Sequence, residues 1–337
     1  MNSALKHPTN NSNIASISMS SVGDFNTGVG NDLNTDAYHQ QQGLNGHQRS
    51  EDYGDKDDFG LYSVILPEEP FVFGVSHIKP RAVPNHIIRP LYARSNLLSG
   101  KDMHNDVEDA DGKFPLGGDP ERKLRSVASL TRDVREYAGS LVKVGVTTNT
   151  IDAAVHEYII SRGAYPSPLM YNGFPKSCCT SRPLEDGDII NIDVTVYLNG
   201  SHRDTSKTWL VGDVDKPGRL LCDITNHAPE AGIAACGPGK PFKNIGRAIH
   251  ALIEPQYHDM EYCVSLAFSG HGIVNGEPGV MFPGHCFAIE PAIFQGTHST
   301  SWTFPDGWTA SVGNCARSVQ AEHMVLITDD GAEVLTR

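Results

Sequence analysis

The fold is decided by the segment Ile189-Ile190-Asn191-Ile192-Asp193-Val194-Thr195-Val196-Tyr197-Leu198, which is followed by Asn199-Gly200. Its branched apolar residues alternate with polar ones and predict a β-strand, and Asn-Gly is the turn pair of a tight hairpin. The hairpin is expected to return Asp204 on the next strand, facing Asp193. A carboxylate among apolar strand residues needs a partner charge, hydrogen bonds or a metal. The pair therefore predicts a site for hard cations, with a buried aspartate that caps a turn as the alternative.

Three further residues extend this candidate site. His271 lies in Ser-Gly-His-Gly-Ile, Glu290 in Phe-Ala-Ile-Glu-Pro and Glu322 in Gln-Ala-Glu-His-Met. Each alone has a structural explanation, namely a satisfied core histidine, a carboxylate at a strand end or a charge at a sheet edge. Together with the two aspartates they make an oxygen-rich set with one imidazole, which suits two divalent metals about 3.5–4 Å apart. Soft thiolate ligands are not indicated, so the seven cysteines lie outside the predicted site.

Helical spacing of apolar residues predicts two helices before the hairpin and two after it. The predicted helices are Leu124–Leu141 (ended by Gly145), a helix capped by Asn149 or Thr150 that runs through Ile160, Lys216–Cys236 (interrupted by Pro229) and Phe242–Ile253. Two later strands are predicted at Phe287–Ile293 and Met324–Thr328. The order indicates one unit, made of two helices and part of a sheet, that is used twice.

The N-terminal third differs in composition from the rest. Residues 1–58 are rich in Asn, Ser, Gln, Gly and Asp, which predicts a disordered polar tail. Residues 59–118 form a proline-rich extended strap and a linker, because prolines at five positions between Leu61 and Arg94 exclude long helices. Globular patterning covers residues 119–337.

Charge and composition exclude several classes of function. The net charge of −13 argues against nucleic-acid binding, and no apolar run is long enough to cross a membrane. Met1 to Ser20 shows neither a signal peptide nor an Arg-rich transit peptide, so a cytoplasmic location is expected. The odd number of cysteines, without a CxxC pair, fits cytosolic thiols. We expect a monomer.

Several ordered motifs resemble type 1 methionine aminopeptidases. They are Gly163–Pro168, Gly173–Ser181, Asp188–Val194, Gly270–Ile273, Ile289–Pro291, Pro305–Thr309 and Glu322–Arg337. The resemblance covers roughly residues 119–337, the size of one catalytic domain. It implies the α+β pita-bread fold, in which two pseudo-two-fold related halves enclose the metals. This agrees with the predicted half-repeat.

The resemblance also implies roles for the candidate residues. Asp193 would chelate one metal, Asp204 and Glu322 would bridge both, and His271 and Glu290 would bind the other. The two divalent ions would be Co, Mn, Fe or Zn, and a hydroxide between them would attack the first peptide carbonyl. Glu290 would also accept the proton of the attacking water. A methionine pocket would be lined by Tyr171, Phe174, Cys179 and Trp308, each with core packing as the alternative.

The implied function is removal of the N-terminal methionine from nascent proteins, but the sequence departs from the family in three respects. Two loops that carry a substrate-contacting histidine are missing, so that Ser181 joins Arg182 and Val274–Pro278 bridges the other gap. Arg203 stands beside Asp204 in place of a small residue, where it is expected to crowd or compete with a metal. The N-terminal zinc module of eukaryotic relatives is absent, which leaves ribosome association unsupported. Slower cleavage is therefore expected, and the alternative is a weak or inactive paralogue that binds peptides or proteins. A prolidase-like enzyme is the third possibility.

Overall fold

Two helices followed by sheet strands occur twice along the chain. The computed structural model describes residues 78–94, 113–178, 183–257, 262–264, 279–296, 301–303, 310–312 and 316–337. The helices are α1 (Asp119–Ser140), α2 (Thr148–Ser161), α3 (Lys216–Ala234) and α4 (Lys243–Tyr257). The strands are β1 (Tyr165–Pro166), β2 (Ile189–Leu198), β3 (Ser201–Leu210), β4 (Tyr262–Val264), β5 (Cys286–Ile289), β6 (Ala292–Gln295), β7 (Ser301–Thr303), β8 (Ala310–Val312), β9 (Ser318–Gln320), β10 (His323–Ile327) and β11 (Ala332–Val334).

The first half consists of α1, α2 and the antiparallel sheet β1-β2-β3. Asn199 and Gly200 both have positive φ, 57° and 84°, as the tight turn of a two-residue hairpin requires. The predicted hairpin is therefore confirmed. One face of the sheet packs on the two helices and forms a core that includes Val127, Val134, Ile151, Val155, Ile192 and Val194.

The second half repeats the arrangement with α3, α4 and two three-stranded sheets, β4-β6-β9 and β11-β10-β5. Its core includes Leu221, Ile249, Phe287, Ile289, Ile293 and Val325. Strands β7 and β8 pair with each other. Each half thus buries its own apolar residues, and the predicted α+β half-repeat is confirmed.

Hydrogen bonds join the halves where β3 runs beside the segment 320–322. The backbone N–H of Glu322 donates to Ser206 O at 3.0 Å, and Thr205 Oγ1 donates to Glu322 O at 2.9 Å. Thr208 Oγ1 and Asn191 Nδ2 both donate to Gln320 O, each at 2.8 Å. This seam fixes the position of the second half against the β2-β3 hairpin.

The helices differ from the prediction in three respects. Helix α2 is capped by Thr147, whose side chain accepts from Thr150 N, so the predicted cap was placed too late in a run of similar polar residues. Helix α3 is not interrupted by Pro229, because this residue lies on its buried face, where packing offsets the missing backbone N–H. Helix α4 likewise continues past residue 253 to Tyr257.

The predicted strand at residues 287–293 is two strands. β5 ends at Ile289 and β6 begins at Ala292, because Pro291 has no N–H to donate to a ladder. Glu290 therefore lies between two strands, so the alternation of side chains along a strand does not fix the direction of its side chain.

The first described segment of the chain, residues 78–94, lies against the first half. Ile87 is 3% exposed and packs with Tyr165, Leu169 and Tyr197. A short 3₁₀ helix, Leu91–Ala93, ends the segment. The predicted tail 1–58 lies outside the described residues. Among the helices that the structure describes, none combines the length and apolar character needed to span a bilayer.

Candidate metal centre

Asp193 and Asp204 lie on the same face of the β2-β3 hairpin. In the register of the hairpin, Asp193 pairs with Ser206 and Asp204 pairs with Thr195. The two aspartates are therefore diagonal neighbours. The prediction that they face each other directly is wrong. Diagonal positions on one sheet face remain close enough for side chains to meet.

Glu322 joins these aspartates from the second half. It directly precedes β10 and is held by the seam hydrogen bonds to Ser206 and Thr205. Carboxylate oxygens of Asp193, Asp204 and Glu322 all lie within 4.8 Å of one another. Asp204 is 2% exposed and Glu322 is 0% exposed.

This set of donors fits a divalent cation. Carboxylates so close together repel one another, and burial increases the repulsion because less water screens it. A hard cation with oxygen ligands relieves that repulsion and offsets the desolvation of the carboxylates. The residues present are thus suited to hold a metal between the two halves of the fold.

Glu290 lies next to this cluster but is not one of its three members. The pairing of His323 with Ile289 places Glu290 beside Glu322 at the end of the β5-β10 ladder. Gln320 Nε2 donates a 2.7 Å hydrogen bond to Glu290 Oε2, and Glu290 is 3% exposed. Gln320 was missed in the sequence, although its place two residues before Glu322 was the available signal.

A buried arginine supports the cluster through the seam. Arg135 on α1 donates from Nη1 to Thr205 Oγ1 at 2.7 Å, and this hydroxyl in turn donates to Glu322 O. Next to Glu322, burial and, after it, the positive charge of Arg135 together lower the pKa of His323 to about 4. The imidazole is therefore neutral near pH 7 and adds no charge to the centre. Arg135 was not singled out from the sequence.

Arg203 does not crowd the carboxylate face as expected. Its guanidinium lies over the Phe114 ring, with its central carbon 4.7 Å from the ring centroid. Neighbouring residues of a strand point to opposite faces. Arg203 therefore points toward α1, where Thr131 Oγ1 contacts its carbonyl, while Asp204 faces the cluster.

The candidate pocket residues are only partly described. Tyr171 begins a short 3₁₀ helix, Tyr171–Gly173, and Phe174 follows it and donates its N–H to Tyr171 O. Met170 and Asn172 both have positive φ, so the backbone here is held in an uncommon conformation. The predicted residues Cys179, His271 and Trp308 lie outside the described residues, as do both junctions of the missing loops.

The chain is similar to known proteins over most of its length. The model of metallopeptidase family M24 matches residues 122–329. Methionine aminopeptidase 1D, chloroplastic/mitochondrial, from Arabidopsis thaliana is 43% identical over 282 residues, which cover 76% of this chain and 77% of that protein. Mitochondrial methionine aminopeptidase 1D from Homo sapiens is 40% identical over 301 residues, covering 82% and 84%.

Solved structures agree in fold. The crystal structure of methionine aminopeptidase from Rickettsia prowazekii matches with a TM-score of 0.60 and 34% identity, over 64% of this chain and 96% of that chain. The prolidase from Pyrococcus furiosus matches with a TM-score of 0.51 and 18% identity, over 68% and 67%, and supports the fold alone. The predicted pita-bread fold is thus confirmed.

The expected cytoplasmic location is wrong. The Arabidopsis and human relatives are named as chloroplastic or mitochondrial proteins. The lack of arginine in Met1 to Ser20 is weak evidence against a transit peptide. Met1 to Ser20 holds five serines and no acidic residue, and both are properties of transit peptides.

Proposed function

This chain belongs to metallopeptidase family M24 and, within it, to the type 1 methionine aminopeptidases, and we propose that Asp193, Asp204 and Glu322 hold the metal of its active site. It is a metal-dependent aminopeptidase that removes N-terminal methionine. The observation that carries the proposal is the cluster of three carboxylates between the two halves, within 4.8 Å of one another. The enzyme is favoured over a binding module because its relatives are named as aminopeptidases.

We propose a pair of divalent metals, drawn from Co, Mn, Fe and Zn, with the roles that the family resemblance implies. Asp193 would hold one metal, Asp204 and Glu322 would be shared by both, and Glu290 and His271 would complete the second site. When bound, such metals lower the pKa of water and polarise the peptide carbonyl.

Glu290 is the proposed base. It lies beside Glu322, and the hydrogen bond from Gln320 Nε2 to its Oε2 fixes the orientation of the carboxylate. A base that is held still near the attacked carbonyl can accept the proton of the water and pass it to the leaving amine. Gln320 thus acts through Glu290 and needs no contact with the substrate.

The methionine side chain is proposed to bind against Tyr171 and Phe174, together with Cys179 and Trp308. Aromatic and sulfur-containing side chains make favourable contacts with a thioether. The short 3₁₀ helix orients Tyr171 and Phe174 as one unit, because the hydrogen bonds Met170 N to Phe174 O and Phe174 N to Tyr171 O tie its ends.

Hydrolysis of the peptide Met-Ala-Ser by the purified full chain tests this function. With Mn or Co present we expect release of methionine, and we expect Asp204→Asn to abolish both turnover and bound metal. Glu290→Gln should retain metal better than it retains turnover, since it loses the base. The exposed pair Arg219–Asp213 offers the control Arg219→Ala, which should behave like the unchanged chain. Full turnover by Asp204→Asn would refute the proposed site.

We also propose that the chain acts in an organelle, on the names of its relatives. Residues 1–60 fused to a fluorescent protein should direct it to mitochondria or chloroplasts. A diffuse cytosolic signal from this fusion and from the tagged full chain would contradict the proposal. A monomeric state remains a prediction, and ribosome association remains unsupported by any zinc module.

A further inference from the structure

The structure describes residues 78–94 of the proline-rich strap, and the name is used below for this part alone. It is bound to α2 through a buried aspartate. Arg81 Nε donates to Asp152 Oδ2 at 2.9 Å. The other oxygen, Oδ1, accepts the backbone N–H groups of Ser177 at 2.7 Å and Cys178 at 3.1 Å. Asp152 is 0% exposed. One carboxylate therefore holds the strap on one side and the pocket segment, residues 176–178, on the other.

His156 makes the same connection one helical turn later. Its Nε2 lies 3.0 Å from Ala82 O, and its Nδ1 lies 3.0 Å from Ser177 Oγ. A carbonyl oxygen only accepts, so Nε2 donates to Ala82 O, while Nδ1 is hydrogen-bonded to the serine hydroxyl. Asp152 and His156 thus form a polar pair on the buried face of α2, between the strap and the pocket segment.

The far end of the strap reaches the proposed methionine pocket directly. Tyr92 donates its hydroxyl to Ser167 O at 2.5 Å, and its ring meets the Tyr171 ring edge-on, with centroids 5.2 Å apart. The Tyr92 ring also stacks on His202, whose Nδ1 is hydrogen-bonded to Ser167 Oγ at 2.8 Å. The hydroxyl bond and the stacked ring restrict Tyr92, and Tyr92 in turn restricts Tyr171.

We infer that the strap is a positioning element for methionine recognition, in which Tyr92 orients Tyr171 while Asp152 and His156 tie the pocket segment to the strap. The inference rests on the proposed function, because Tyr171 must line the pocket. The contacts end on the pocket and not on the carboxylate cluster. Loosening them therefore weakens methionine binding and raises KM, while kcat and bound metal change little.

The test compares Tyr92→Leu, Tyr92→Phe and Asp152→Asn with the unchanged full chain. For each we measure the Kd of L-methionine by calorimetry, KM and kcat for Met-Ala-Ser, and bound metal. Tyr92→Leu should raise Kd and KM about 2- to 10-fold, the range of one aromatic pair. Asp152→Asn should raise them similarly. Tyr92→Phe, which keeps the ring contacts and loses only the hydrogen bond to Ser167 O, should raise both less. Ile249→Val, in the core of the second half, is the control for lost stability and should leave Kd unchanged.

Equal Kd and KM in the unchanged chain, Tyr92→Leu and Asp152→Asn would overturn the inference alone. So would a loss of kcat or metal at constant Kd, because the strap would then support the fold in general. If the unchanged chain neither binds methionine nor cleaves the peptide, the proposed function fails and the inference fails with it. Should Asp152→Asn not fold, Tyr92→Leu decides, since Tyr92 is only half-buried.

Discussion

Replacing Asp204 by asparagine should change the stability of the enzyme in opposite directions with and without metal. In the metal-free protein the substitution removes one of three clustered negative charges. In the loaded protein it removes a ligand. Asparagine has nearly the same shape as aspartate, so the change isolates the charge.

The size of the effect follows from the 4.8 Å limit on the separations within the cluster. Two unit charges at that distance repel by about 3.5 kcal/mol at an effective dielectric constant of about 20, and Asp204 takes part in two such pairs. Because neighbouring charges and water offset part of this repulsion, we expect a net gain of roughly 1–3 kcal/mol, or about 2–10 °C in Tm. Metal-loaded Asp204→Asn should instead melt below the loaded unchanged chain.

Thermal unfolding in EDTA and in excess Mn measures the predicted rise and the predicted fall in Tm on the same preparations. Asp223→Asn, at an exposed position on α3, is the matched control and should shift Tm little in either condition. If Asp204→Asn lowers Tm by the same amount in both conditions, the side chain serves as a structural hydrogen-bond acceptor, and the argument from clustered charge is wrong.

Three further predictions follow from contacts elsewhere in the fold. Gln320→Leu removes the donor to Glu290 and should lower kcat about 10- to 100-fold with KM little changed, and an unchanged kcat would contradict the role of Gln320. Arg125, whose Nη2 lies 2.7 Å from Glu333 Oε2, links α1 to β11, and Arg125→Ala should cost at most about 1 kcal/mol of unfolding free energy. The hydrogen bond from Arg125 lowers the pKa of Glu333 below its usual value of 4.5. The pKa of Glu121 is lowered from the same value, most by the hydrogen bond from the Gly117 N–H and next by the one from Arg125. The stabilisation that Arg125 provides through these two carboxylates is therefore complete above about pH 4.5 and is lost as pH falls through their lowered pKa values. The difference in Tm between the unchanged chain and Arg125→Ala should vanish over that range. A difference that persists at pH 2 would show another cause. A chain that starts at residue 60 should have the same Tm as the full chain. A chain that starts at residue 95 should melt several degrees lower, because it loses the packing of Ile87 and leaves Asp152 without Arg81. Equal Tm values for the two shortened chains would show that the strap adds no stability.

The hairpin could be predicted from the sequence because its determinants are local. Strand alternation and the Asn199-Gly200 turn are neighbours in the chain, and a two-residue turn pairs Leu198 with Ser201. Counting back from that pair places Asp193 opposite Ser206, so the diagonal arrangement of the aspartates was also within reach. The expectation that they face each other failed because the register was not counted.

The contacts that support the site could not be predicted in this way. Gln320 reaches Glu290 across thirty positions, and Arg81 reaches Asp152 across seventy-one. Neither pair has a periodic signal, because each depends on how the elements pack. The location failed for another reason: import receptors recognise a loose composition, so the lack of one residue type in Met1 to Ser20 is weak evidence.

The seam between the halves has a consequence for the order of events in biosynthesis. Glu322 stands 129 positions after Asp193, so the centre is a contact of very high contact order. Neither half carries the complete set of ligands, and each buries a core of its own. With the proposed ligands, we therefore expect metal uptake to wait until both halves have folded and docked. A partly synthesised or partly folded chain carries an incomplete centre, and peptidase activity arises only in the finished molecule.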